Sequence, residues 1–259
     1  TLETTLRRLP GLWVNDRAHF GLGERLSIRG MGWRAAFGVR GVQVVLDGVP
    51  LTMPDGQTVI DVVDPSFIRR AELIRGPASL FWGNGSGGTL YLSTFAPDAP
   101  AFRARALGGS HGVRQLSAES GARVGAHRVY AYASDVRQDG FRAYSEGRFS
   151  RAAVFGDVDL KGGARLRVVA TAVGQDTENP GSLTRDQFRA DPRQANARNV
   201  ATLASKQTTH LQAGATLEAP TGFGVVAATA YGVRRDLDNA LSYAYIRFDR
   251  GAGGVRLSL

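Results

Sequence analysis

"RRAELIRGPASLFWGNGSGGTLYLST", residues Arg69–Thr94, sets an Arg-Gly-Pro step, an aromatic pair and five glycines within the fourteen residues Arg75–Gly88, between two β-like runs, Ala71–Arg75 and Thr89–Thr94. Glycine permits positive φ and close backbone approach, while proline fixes φ. Such a density of both between extended runs predicts a tightly folded, hairpin-like excursion and not a linker. The same texture continues upstream. "GVQVVLDGVPL" (Gly41–Leu51) carries Asp47-Gly48, a favoured pair for a tight hairpin turn. In "TVIDVVDPSFIRRAELI" the apolar positions Val59, Val62, Val63, Phe67 and Ile68 predict a short helix or turn feeding a strand, broken at Asp64-Pro65.

The rhythm changes after "APDAPAF" (Ala96–Phe102), where two-residue alternation takes over. Leu166, Val168, Ala170 and Ala172 stand against Arg165, Arg167 and Thr171; Leu211, Ala213, Ala215 and Leu217 stand against His210, Gln212, Thr216 and Glu218. Ala152, Val154 and Val158 alternate in the same way with Arg151, Asp157 and Asp159. Side chains alternate across a strand, so each segment has one apolar and one polar surface. Seven or eight such strands follow residue 102, joined alternately by short turns and by long loops at Arg137–Gly147 and Asp176–Ser205. Long alternating strands with short turns at one end and long loops at the other predict a transmembrane β-barrel, closed because lipid cannot satisfy an open sheet edge. A soluble antiparallel sandwich is the competing architecture.

The chain has 259 residues, 43% hydrophobic, with no cysteine, so disulfides and thiolate metal sites are excluded. No apolar run reaches the length of a membrane helix. The net charge of +9 comes almost wholly from arginine, the only lysines being Lys161 and Lys206. An arginine-rich composition accounts for it as well as an anionic partner does. The arginines are interspersed with acids and form no run of five, which argues against nucleic acid. "GNGSGG" lacks the Gly-Lys-Ser/Thr end of a phosphate loop, and Ser86 has Asn84 where a nucleophile elbow needs glycine. The four histidines show no paired ligand spacing, and Met31 and Met53 are isolated. No enzyme, no metal site and no cofactor is expected. The opening "TLETTLRRLPG" reads as a short helix and the closing "GGVRLSL" as an interrupted strand, which together suggest a fragment.

The ordered series Leu9-Pro10-Gly11, Ile28-Arg29-Gly30, Asp47–Pro50, Asp64-Pro65 and the Arg75-Gly76-Pro77 to Gly87-Gly88 block resembles the plug domain of TonB-dependent outer-membrane receptors. The resemblance implies an α+β plug over residues 1–96, N-terminally truncated, followed over 102–259 by the first strands of a barrel of about 22 strands. It further implies energy-coupled uptake of a scarce small molecule, by default a ferric siderophore or other iron complex. It places a monomer in the outer membrane of a Gram-negative bacterium, surrounded by outer-membrane lipid. The energy partner would be the TonB-ExbB-ExbD complex, with the family's TonB box and C-terminal strand absent here. By family position Arg29 tethers the plug to barrel glutamates of later strands, Arg75 joins the same polar layer, and Arg17, Arg34 and Trp82 reach up towards ligand. Asp47, Gly48, Gly76, Pro77, Gly83, Gly87 and Gly88 form the plug's turns. "MPDGQT" (Met53–Thr58) and "TENPGSLTRDQF" (Thr177–Phe188) resemble a branch that includes receptors proposed for pyrroloquinoline quinone. A non-transporting ligand-binding or adhesive β-protein built on the same module is the alternative of a different class.

Overall fold

The computed structural model describes residues 2–15, 23–33, 38–58, 60–76, 85–96 and 98–259. The sequence-identified positions Arg17, Arg34, Pro77, Trp82 and Gly83 lie outside them.

The first hundred residues build a small mixed globule. Helix α1 (Leu2–Leu6) buries Leu2 and Leu6, and strands β1 (Leu12–Asn15) and β2 (Arg25–Ile28) pair antiparallel. A short antiparallel pair joins β3 (Val39–Arg40) to β6 (Gln57–Thr58). The central sheet has the order β5 (Val49–Pro50), β4 (Gln43–Leu46), β8 (Gly88–Ser93), β7 (Arg70–Arg75), with β4 and β8 parallel and the other pairs antiparallel. Val44, Leu46, Leu90 and Leu92 on one face of the two parallel strands and Gln43, Val45 and Thr89 on the other are all buried, as expected for strands covered on both faces. Asp47 and Gly48 connect β4 to β5 with φ of 52° and 87°, the doubly positive pair of a type I′ turn. Gly88 opens β8 at φ 129°, and a Cβ there would stand 2.6 Å from the carbonyl oxygen of Ile74. A Cβ on Gly87 would strike that of Met31 at the same distance. The glycine run is thus where three segments of backbone close on one another.

The remaining residues form one antiparallel sheet of eight strands in strict sequential order. They are β9 (Arg103–Gly108), β10 (Arg114–Val124), β11 (His127–Gln138), β12 (Gly147–Asp159), β13 (Arg165–Glu178), β14 (Ser205–Thr221), β15 (Gly224–Ala240) and β16 (Tyr245–Ser258). This wall is inverted with respect to a soluble sheet. Val154, Val168, Leu211 and Leu217 are 40–49% exposed, while Asp157 of β12 and His210 and Gln212 of β14, on the opposite faces of those two strands, and Arg235 of β15 are at most 5% exposed. The register extends the pattern across strands: Ala118, Ala133, Ala152, Ala172 and Leu211 lie side by side on the outer face, as do Ala131, Val154, Ala170, Ala213 and Gly232. A sandwich would bury these apolar rows; only a non-aqueous surrounding makes their exposure favourable.

Towards the long-loop end the outer face turns polar. Arg114, Arg137, Arg148, Asp176, Gln207, Asp238 and Arg247 occupy one row, and Arg148 pairs with Asp135 at 3.0 Å and Arg247 with Asp238 at 2.9 Å. Strands of 14–17 residues exceed the 9–11 that a membrane span needs, so this charged row marks where they leave the apolar layer.

Candidate functional site: the seam between globule and wall

The polar face of the wall is buried because the globule lies against it, and the contact is made largely of charges. Along the segment that follows β5, three aspartates face the wall. Asp64 caps the turn Pro65–Phe67: Ser66 N donates to its Oδ1 at 2.9 Å, and the Ser134 hydroxyl of β11 donates to its Oδ2. Proline in the first turn costs no hydrogen bond there. Asp61 accepts from Lys206 Nζ of β14 at 2.7 Å and from the Glu24 amide at 3.0 Å, while Arg151 of β12 donates to its backbone carbonyl at 3.0 Å. Asp55 pairs with Arg250 of β16 at 2.8 Å.

These wall residues form a pattern. Ser134, Arg151, Val173, His210, Arg235 and Arg250 are register partners across β11–β16, so a single inward row carries three arginines and a histidine, with Lys206 of β14 four residues before His210. Aspartates of the globule meet this cationic row. Burial acts to raise the Asp61 carboxyl, but the Lys206 charge and the hydrogen bonds from Lys206 and Glu24 outweigh it and hold the group below the usual carboxylate range.

At the first strands the polarity reverses. Glu119 of β10, 4% exposed, binds Arg69 of the globule, Arg103 of β9 at 3.0 Å and the Tyr130 hydroxyl at 2.9 Å. Beside it the seam is dry: Phe67 stacks on Tyr132 with centroids 4.1 Å apart and planes at 15°, and Phe95, Tyr130 and Phe155 complete the aromatic group. At the short-turn end the Asp47-Gly48 turn approaches Thr216, beside a polar cavity of about 200 Å³ lined by Tyr91, Arg167 and Arg256. Asp47 accepts from Thr94 N at 2.7 Å and from the Thr94 hydroxyl at 2.8 Å; burial nonetheless pushes its carboxyl up.

Of the tethers expected from the resemblance, Arg29 and Arg75 are exposed and form no ion pair among the described residues. Gly76 has φ of 96° with open space where a Cβ would stand. The expected partners of Arg29 and Arg75 belong to later strands than these eight; the charged contacts described between the globule and this wall come from Asp55, Asp61, Asp64 and Arg69, none of which was expected from the sequence to bind the wall. Two signals were available: Asp64-Pro65 stood out as a break, and Lys206 is one of two lysines, set on the polar side of an alternating strand.

The long-loop end is also ordered. Arg142, in the loop between β11 and β12, donates to the carbonyl oxygens of Gly181 at 2.6 Å, Gln194 at 3.0 Å and Pro180 at 3.2 Å, and Ala143 N donates to Arg193 O at 2.7 Å. A helix at Arg185–Ala190, closed by a capping box between Thr184 and Gln187, rigidifies the partner loop.

A family model described as the TonB-dependent Receptor Plug Domain matches residues 1–89. The chain is 33% identical over 95 residues to the hemin receptor of Yersinia pestis and 31% over 90 residues to that of Yersinia enterocolitica, matches that take in 36% and 34% of this chain but 13% and 12% of those proteins. Among solved structures it is similar to the ferric citrate transporter FecA in its unliganded form (TM-score 0.75, 15% identity) and to the copper transporter OprC (0.72, 16%). A third is the ferric yersiniabactin uptake receptor FyuA from Yersinia pestis (0.70, 15%). Each likeness covers 98% of this chain and 40–41% of the other, so the chain spans about two-fifths of those structures. Residues 1–89 therefore match the plug domain of TonB-dependent receptors, and the chain shares the fold of these three solved structures along nearly its whole length.

Proposed function

We propose that the receptor carrying this chain imports a scarce small molecule, an iron complex by default, across the outer membrane of a Gram-negative bacterium. Residues 1–96 act as its plug, residues 102–259 as part of its barrel, and the TonB-ExbB-ExbD complex supplies the energy. The observation that carries this reading is the inverted wall: apolar rows outward, a cationic row inward, and a globule clamped against that inner row by Asp55, Asp61 and Asp64. A non-transporting ligand-binding or adhesive role gives no reason for a globule held against the inner face of the wall by ion pairs. The sequence relatives named as hemin receptors support an iron complex as cargo, with heme the first to test. Arg17, Arg34 and Trp82 are proposed to face the ligand, and Arg29 and Arg75 to complete the plug's anchoring to other parts of the barrel.

Deletion of the complete gene, followed by growth under iron limitation with hemin, ferric citrate, a panel of ferric siderophores or pyrroloquinoline quinone, tests the reading. Loss of growth on one iron source supports it. Unimpaired growth on every iron source, with loss of quinone-dependent growth, would replace iron by the quinone cofactor.

A further inference from the structure

The outer face of the wall is not uniform in charge where its strands leave the apolar layer. On β10–β12 the register sets Arg114 opposite Arg137, and Arg137 opposite Arg148. Three like charges thus stand side by side on adjacent strands, each side chain more than half exposed. Like charges directly opposite one another repel. One carboxylate answers two of them: Asp135 accepts from Arg137 Nε at 2.9 Å, from Arg148 Nε at 3.0 Å and from the Ser150 hydroxyl at 2.7 Å. Arg114 approaches only Asp139, at 3.8 Å, too far for a hydrogen bond. Because Asp135 holds both guanidiniums by Nε, their Nη–H donors have no partner among the described residues.

The outer face of β13–β16 has the opposite balance. There Asp176, Asp236, Asp238 and Asp249 outnumber Arg234 and Arg247, and both arginines spend an Nη2 on a carboxylate, of Asp249 at 2.8 Å and of Asp238 at 2.9 Å. The surplus of cation and of free donors belongs to β10–β12. Its height is set by the strands themselves. Ala118, Ala133 and Ala152 of the outer apolar row lie four residues further along the same strands and on the same face, about 13 Å away. An arginine row above an apolar row stands at the depth of lipid headgroups, and guanidinium forks match phosphate oxygens.

We propose that the outer face of β10–β12 is a binding site for the phosphate groups of a phosphorylated lipid in the surrounding leaflet, with Arg137 and Arg148 as the paired forks and Arg114 beside them. The inference rests on the outer-membrane reading above and adds to it a lipid site on one side of the barrel.

The test uses the complete receptor in a neutral detergent, titrated with lipid A, with dephosphorylated lipid A or with inorganic phosphate, and read by native mass spectrometry. Arg137→Gln with Arg148→Gln removes the forks; Arg234→Gln with Arg247→Gln removes the same charge from the outer face of β15–β16. All four positions are exposed, and circular dichroism checks that each variant is folded. Lipid A affinity is expected to fall about tenfold or more in the first variant and less than twofold in the second. Unchanged affinity in the first variant, an equal loss in the second, or equal binding of dephosphorylated lipid overturns the proposal. Displacement of lipid A by millimolar inorganic phosphate assigns the arginines to a free anion and overturns the lipid as its source. Lipid binding in detergent needs no cargo, so its outcome is independent of the growth tests.

Discussion

Lys206 Nζ lies 2.7 Å from Asp61 Oδ2, joining wall to globule across 145 positions of sequence. Both side chains are nearly buried, at 11% and 7% exposure, so neither charge can be satisfied by water if the other is removed. Asp61→Asn is expected to weaken the plug–wall contact by about 3–5 kcal/mol, and pairing it with Lys206→Met to recover most of that loss. Urea titration followed by protease sensitivity of the plug measures both, and additive single effects would contradict the coupling.

The same carboxylate sets a pH dependence. The folded pKa of Asp61 is lowered, so its contribution is complete above the unfolded value of about 3.9 and disappears as pH falls through the folded value. The Asp61 share of the attachment, taken as the difference between the parent and Asp61→Asn, should be flat from neutral pH to about pH 4 and shrink only below it. Asp47 works in the opposite sense: burial raises its pKa, so its ionisation opposes folding above the unfolded value. Asp47→Asn retains an acceptor for Thr94 N and tolerates the positive φ, and is expected to leave neutral-pH stability unchanged or slightly higher.

Ala170 sits in the outer apolar row between Val154 and Ala213. Ala170→Arg should cost about 2–4 kcal/mol in lipid vesicles. A comparable stability in the variant and the parent would argue against a lipid-facing row.

Gly88→Ala combines an unfavourable φ with a 2.6 Å approach to Ile74 O. The expected loss is about 1–3 kcal/mol from backbone strain alone. It should fall on the β7–β8 pairing, read by hydrogen exchange of the amides of Arg70–Arg75.

Arg142→Lys keeps the charge and loses the fork that gathers three carbonyls from the facing loop. Faster trypsin cleavage at Arg185, Arg189 and Arg193, with the barrel strands unaffected, is the expected signature.

Much of this was legible in the amino-acid order. Alternation in Arg165–Val173 and His210–Glu218 placed every second residue correctly, because strand geometry has a period of two and one side must meet lipid. The positive-φ pair Asp47-Gly48 was legible for an equally local reason. The seam was not. Asp61 and Lys206, or Glu119 and Arg69, meet only after the wall has curved around the globule, and nothing local to either residue encodes its partner. The family pattern directed attention to plug arginines; at this seam the strands carry most of the cations and the globule most of the acids, Arg69 with Glu119 being the reverse pair.

Lys161 is exposed in the turn between β12 and β13, while Lys206 is buried beneath the globule. Within residues 1–259 these are the only two lysines, so amine acylation of their two peptides gives a native two-point gauge: the first site is open to reagent, and the second is expected to react only when its contact with Asp61 is broken. Quantitative mass spectrometry of that ratio on living cells would time the stopper's excursions without any engineered label.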